Sequence, residues 1–228
     1  MKQAALALAV LLAGSAQAQS PQRDAPRMPV VVELFTSQGC SSCPPANANL
    51  RALADRPDVL ALSLNVTYWD YLGWKDTFAA PEFTQRQRDY EPRLGHDGPF
   101  TPQIVVDGRA DTVGDVRADI ERLIAERRPV PGPSLSLTGN DVALGSGAGA
   151  AQVWLVRYDP RTISVPVARG ENAGVTLPHR NVVRELTLLG EWHGAAEHFT
   201  LPAAPDGLKT AILVQSGRGG PILAAARD

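Results

Sequence analysis

Val30-Val31-Val32-Glu33-Leu34-Phe35-Thr36-Ser37-Gln38-Gly39-Cys40-Ser41-Ser42-Cys43-Pro44-Pro45-Ala46 is the stretch on which the reading of this chain turns. Its first part is β-branched and almost free of polar residues, the pattern of a short strand buried on both faces of a sheet. After Pro44 and Pro45, residues 46–55 predict a helix with Leu50 and Leu53 as its most apolar members. Proline suits a first turn, where the N–H it lacks would have no helical partner anyway. Two cysteines spaced Cys-x-x-Cys stand where the strand hands over to the helix. The unpaired N–H groups and positive end of a helix stabilise a thiolate, so Cys40 is expected to have a lowered pKa and to act as nucleophile. Cys43 is then the resolving partner. A residue before proline is pushed away from helical angles, which makes Cys43 a candidate for the helix cap itself. Ser41 and Ser42 are either plain turn residues or hydroxyl donors to the sulfur.

Working outward, residues 59–66 read as a second buried strand, followed by the aromatic segment Thr67-Tyr68-Trp69-Asp70-Tyr71-Leu72-Gly73-Trp74. A polar helix is predicted over 81–94. Residues 103–109 form a strand entering an Asp-Gly hairpin turn, with a return strand near 110–113. Asp115 is the expected cap of a last helix reaching about Arg128. Strand, helix, strand, helix, strand, strand, helix, with right-handed parallel crossovers, gives a mixed sheet with helices on both faces. This is an α/β, thioredoxin-like topology for residues 29–128. In it Thr101-Pro102, just before the third strand, faces the cysteines; a cis peptide is expected there, with backbone that can pair with an extended substrate.

Pro129-Val130-Pro131-Gly132-Pro133 reads as a stiff linker over 129–133. Beyond it, short apolar alternations at 135–137, 152–158, 163–167, 182–189 and 208–215 are separated by loops rich in Gly, Asn and Pro. That spacing predicts a separate all-β, sandwich-like domain over 134–228. At the other end, Lys2, the apolar run 4–13 and Ala16-Gln17-Ala18 have the form of a secretory signal peptide over 1–18. No cysteine follows the run to take a lipid, and no later stretch is apolar enough to span a bilayer. The expectation is a periplasmic or secreted protein with no membrane insertion after cleavage. A formal net charge of -2 over 228 residues gives no reason to expect a nucleic-acid partner.

Export changes how the cysteines are read, since Cys40 and Cys43 are the only two and an oxidising compartment pairs thiols. A bridge between them closes a very short loop and constrains the unfolded chain little, so exchange explains it better than stability does. Three other readings stay open: an inert bridge in a non-catalytic interaction protein, a copper or other metal-binding chaperone-like site in which His96 joins the cysteines, and a structural zinc site, which lacks a second cysteine pair. Trp69 and Trp74 are candidate substrate-binding residues with Thr101, or else, with Tyr68, part of a local core. Asp70 reads as a solvated turn acid or, if buried near the cysteines, as a proton acceptor from Cys43. His179, His193 and His198 have no ligand spacing and read as surface or hydrogen-bonded residues, and Glu171, Asn172, His179 and Asn181 read as a polar network tying strand ends together.

The opening stretch, from Val32 to Ala46, resembles the signature of the DUF1223 family of bacterial secreted proteins of unknown function. Tyr68-Trp69-Asp70, Gly73-Trp74-Lys75-Asp76, Thr101-Pro102-Gln103, Arg169-Gly170-Glu171-Asn172-Ala173-Gly174 and His179-Arg180-Asn181-Val182-Val183 extend the similarity over essentially the mature chain. The resemblance implies a thioredoxin relative and transfers no activity. Unlike ordinary thioredoxin, the chain has Ser-Ser between its cysteines and prolines after the second. Together these readings point to an exported thiol–disulfide oxidoreductase-like protein acting on proteins or small thiols with a redox partner. Cys40 attacks, Cys43 resolves and the backbone beside Pro102 orients the substrate; neither cofactor nor resident metal is expected.

Overall fold

The computed structural model describes residues 28–128 and 130–228; the expected signal peptide lies outside them. β1 (Val30–Thr36) is buried at every position because both of its faces are covered. Val30, Val32 and Leu34 pack with Leu50 and Leu53 of α1 (Cys43–Leu53) and with Ile120 and Ile124 of α3 (Arg117–Ala125). Val31 and Phe35 alternate to the opposite face and meet Phe83 and Tyr90 of α2 (Pro81–Leu94). Glu33 lies on that apolar face and is matched there. The Arg86 guanidinium donates to both carboxylate oxygens, at 2.5 and 3.1 Å, and the Tyr90 hydroxyl donates at 2.5 Å. Removing one partner would leave a buried charge uncompensated.

The sequence places the helices well and their starts less well. The cap of α1 is Ser42, so Cys43 is the first helical residue and not the cap. The Cys43 N–H donating to the Cys40 carbonyl at 3.2 Å closes the turn and outweighs the pre-proline bias. Asp115 does not cap α3, which starts after the extended Val116 without a side-chain cap. The Asn49 side chain donates to the carbonyls of Gly114 and Asp115 at 3.0 and 2.9 Å, tying that segment to α1 ahead of the helix.

β2 (Val59–Asn65) pairs in parallel with β1, and β3 (Gln103–Val106) pairs antiparallel on its other side, followed by β4 (Ala110–Thr112). The expected Asp107-Gly108 turn is present with φ of 48° and 64°. A Cβ at Gly108 would stand 2.4 Å from the Gly220 carbonyl oxygen, so geometry and space both demand glycine.

Past residue 133 the structure departs from the expected separate sandwich. The strands of the second half extend the first sheet, which runs β13-β12-β7-β10-β2-β1-β3-β4. Here β7 is Ala151–Asp159, β10 Val182–Trp192, β12 Lys209–Gln215 and β13 Ile222–Arg227. The junction is narrow: the Ser63 N–H donates to the Asn181 carbonyl at 2.9 Å, and Asn181 Nδ2 donates to the Ala61 carbonyl at 2.8 Å. Without β10, the apolar β2 would be an edge strand with unpaired backbone groups. One core crosses the junction, joining Leu62 and Leu64 to Val156, Val183, Leu213 and Ile222. The two-layer packing implied by the alternation is local. A small sheet of β5 (Leu135–Thr138), β6 (Asp141–Leu144) and β11 (Glu197–Thr200) covers Val153, Leu155, Trp192, Ile212 and Val214. The molecule is therefore a mixed α/β fold with a large mixed sheet, three helices among the described residues and accessory sheets. The last pair, β8 (Ile163–Pro166) and β9 (Thr176–His179), forms a hairpin beside α1, where Arg51 Nη1 donates to the Pro178 carbonyl at 3.1 Å.

Candidate functional site

Residues 37–42 connect the C-terminal end of β1 to α1 in a tight turn, the Cys40 N–H donating to the Ser37 carbonyl at 3.3 Å. Cys40 and Cys43 are joined as a disulfide, their Cα atoms 5.5 Å apart. Both cysteines are 0% exposed, whereas Ser41 and Ser42 are open to solvent. Of the two serines read either as turn residues or as donors to the sulfur, Ser42 lies beside it, its Oγ 3.3 Å from Cys40 Sγ. The Ser41 hydroxyl points elsewhere.

One wall is the aromatic loop after β2. Trp69 Nε1 donates to Thr101 Oγ1 at 2.7 Å, and a Cβ at Gly39 would lie 3.3 Å from Trp69 Cβ, so the cysteine turn and Thr101 share Trp69 as a neighbour. The Thr101–Pro102 peptide is cis, and Pro102 is buried at the start of β3, where Gln103 pairs with Phe35. Trp74 reaches the turn through Gln38, donating to its Oε1 at 2.9 Å. Thr101, Pro102, Trp69 and Trp74 are thus gathered at the cysteine end of the sheet. Of the two readings of the aromatic segment, packing describes Tyr68 and Trp69, which lie against the core, while Tyr71 is 79% exposed.

The buried acid beneath this wall is Asp76, not Asp70. Asp76 accepts from the Gln38 N–H at 2.7 Å, Asn65 Nδ2 at 2.8 Å and the Phe78 N–H at 2.8 Å. Burial pushes its carboxyl above the ordinary range despite those donors. Asp70 is only partly buried and accepts the Asp76 N–H at 3.2 Å. The loop after β2 carries Asp76 inward against the Gln38 backbone, which its Lys75-Asp76 neighbourhood does not disclose.

The opposite wall comes from the second half of the chain. Asn172, at the tip of the β8–β9 hairpin and 6% exposed, donates from Nδ2 to the carbonyls of Gln38 at 2.9 Å and Cys40 at 2.8 Å. Its neighbour Glu171 accepts from the Ser41 N–H at 3.0 Å and from the Ser41 hydroxyl at 2.7 Å, bonds that draw its carboxyl below the ordinary range. The expected strand-end network of Glu171, Asn172, His179 and Asn181 is therefore divided. Asn181 ties β10 to β2, while Glu171 and Asn172 belong to the cysteine site.

His96 does not join the cysteines. Its Nε2 lies 2.7 Å from Asp111 Oδ2 and its ring is edge-on to Phe100, so the copper or zinc site proposed with Cys40 and Cys43 is not assembled. Among the described residues no group of three or more His, Cys, Asp and Glu is placed to hold a metal ion.

The model of a family of proteins of unknown function, DUF1223, matches residues 31–215, a span that contains both walls of the site. The chain belongs to the DUF1223 family. A crystal structure of an Agrobacterium tumefaciens protein from a structural genomics consortium is 36% identical, with 87% of this chain and 92% of that one covered and a TM-score of 0.72. HBP35 of Porphyromonas gingivalis resembles the DUF1223 chain at 14% identity over 88% of this chain and 74% of its own, TM-score 0.52, which is a likeness of fold alone. A search of curated proteins finds no match.

Proposed function

We propose that this DUF1223 protein is an exported thiol–disulfide exchange protein, periplasmic or secreted, with a thioredoxin-like arrangement around Cys40 and Cys43. The observation that carries the reading is the position of the disulfide, at the C-terminal end of β1 and in the first turn of α1. There the helix N-terminus stabilises the thiolate that reduction produces. Starting from the disulfide, a partner thiolate attacks Cys40 Sγ, the S–S bond breaks, and Cys43 leaves as a thiolate that takes a proton from solvent. A second thiolate attacks the partner's sulfur in the mixed disulfide and frees Cys40. Two electrons pass from two thiols to the protein, and the partner leaves as a disulfide. In reverse, Cys40 is the nucleophile and Cys43 resolves. Thr101, Trp74 and the backbone beside Pro102 are the proposed substrate contacts, with Trp69 packed behind Thr101 and donating to its hydroxyl.

Export rests on the sequence of residues 1–18; among the described residues no helix is long and apolar enough to cross a membrane. Complete burial of both sulfurs favours a second reading, an inert bridge that shapes the loop. The reduction potential of the purified protein, equilibrated against glutathione and dithiothreitol and read by thiol alkylation, separates the two. An exchange centre gives a value above about -300 mV, and a value well below it refutes exchange.

A further inference from the structure

We propose that the tip of the β8–β9 hairpin is a latch over the exchange centre, held down by Glu171 and Asn172, and that a thiol reaches Cys40 only when the tip lifts. The inference rests on the exchange reading of Cys40 and Cys43. Its basis is the combination of cysteines with no exposed surface and a hairpin tip seated on the cysteine turn through few polar groups.

The tip is stiff in itself and can move as a unit. Residues 167–175 carry their own turn bonds, Gly174 N–H to the Val167 carbonyl at 2.8 Å, Val175 N–H to the Asn172 carbonyl at 3.0 Å and Ala173 N–H to the Gly170 carbonyl at 3.2 Å. These survive if the tip swings about the ends of β8 and β9. The attachments that break are those of Asn172 to the Gln38 and Cys40 carbonyls and of Glu171 to Ser41. Beside them Gly170, with φ of 80°, brings backbone close to the turn; a Cβ there would lie 3.7 Å from Trp74 Cβ and 3.9 Å from Gly39 Cα.

Lifting the tip changes the chemistry presented to the incoming thiol. Ser41 then offers a free backbone N–H and hydroxyl, both donors now occupied by a carboxylate, while the Gln38 and Cys40 carbonyls become acceptors facing out. The latch also places a negative charge one residue from Cys40, which repels anionic thiolates. It is therefore a filter on charge as well as a cover: a thiol partner carrying a carboxylate competes with Glu171 for Ser41.

The test uses the oxidised full chain and measures the rate of disulfide reduction by two monothiols, cationic cysteamine and anionic 3-mercaptopropionate, with quenching by alkylation. Glu171 is exposed, so Glu171→Ala leaves no cavity. It is expected to accelerate cysteamine by about fivefold, as loss of an exposed charge-assisted bond implies. It is expected to accelerate 3-mercaptopropionate by a further threefold or so, through removal of the like charge. Asn172→Ala should accelerate both thiols alike. Equal rates in wild type and Glu171→Ala overturn the latch, and equal acceleration of both thiols by Glu171→Ala overturns the charge filter. If Asn172→Ala melts early, Asn172→Leu replaces it, keeping the volume and the neutral charge while removing the donor, and it too should accelerate both thiols alike. A potential far below about -300 mV with latch-dependent rates would sink the exchange reading and leave the latch standing.

Discussion

His179 offers a sharp test of how the two halves of the chain are joined. It sits on β9 against α1, 1% exposed, with its ring edge-on to Phe78 at 5.3 Å and no hydrogen-bond partner on either ring nitrogen among the described residues. Burial holds its pKa down from 6.5 to about 4, and Arg51 from α1 and Arg184 from β10 push the same way. The folded state therefore refuses the proton that the unfolded chain accepts below pH 6.5. Between those pH values the unfolded chain binds about one more proton, so stability rises with pH by about 1.36 kcal/mol per unit. Over the roughly 2.5 units between them this amounts to about 3 kcal/mol, fully present above pH 6.5 and lost as pH falls toward 4. Asp76 and Asp107, whose carboxyls burial raises, contribute with the opposite sign. A comparison with His179→Leu, of similar volume and unable to titrate, removes their contribution. Urea unfolding of the oxidised protein at several pH values from 4 to 7 should show wild type losing about 3 kcal/mol more than His179→Leu. Parallel pH dependences in the two proteins would refute the buried, neutral imidazole and with it the packing of β9 on α1.

Three further outcomes follow from the same contacts. Cys40→Ser should abolish exchange with a thiol reporter while lowering stability by only about 2 kcal/mol, the chain-entropy value for so short a loop, checked by paired activity and urea measurements. Glu33→Gln should destabilise by about 3–5 kcal/mol, because Arg86 stays buried without its counter-charge; a loss under about 1 kcal/mol would mean the pair is not desolvated. Gly39→Val adds atoms where a Cβ already meets Trp69 at 3.3 Å, so it should cost about 1–3 kcal/mol and alter tryptophan fluorescence as the Trp69–Thr101 bond is displaced.

Much of the first half was legible because its signals are local. The β-branched run of β1, the prolines of α1, the polar helix at Pro81–Leu94 and the Asp-Gly turn each encode their conformation within a few residues. Where a local rule failed, either a competing local bond prevailed, as the Cys43 N–H on the Cys40 carbonyl does over the pre-proline bias, or a distant group intervened. Asn49 holds the backbone at Gly114 and Asp115 ahead of α3, and Arg86 with Tyr90 places a charged Glu33 in an apolar strand face.

The second half was legible as strands but not as a sheet. Alternation at Ala151–Asp159 and Val182–Trp192 states which side chains face inward, and it reads identically whether a strand pairs with its own neighbours or with an earlier edge. The Cys40–Cys43 unit was readable because a strand, a turn and a proline-opened helix are each set by neighbouring residues. The segment seated on it follows from contacts far apart in the chain. Pairing of β10 with β2 brings the β8–β9 hairpin to α1, and hydrogen bonds spanning about 130 positions put Glu171 and Asn172 on the cysteine turn. Nothing in the residues around Glu171 and Asn172 names that partner, since the contact exists only once the sheet is shared.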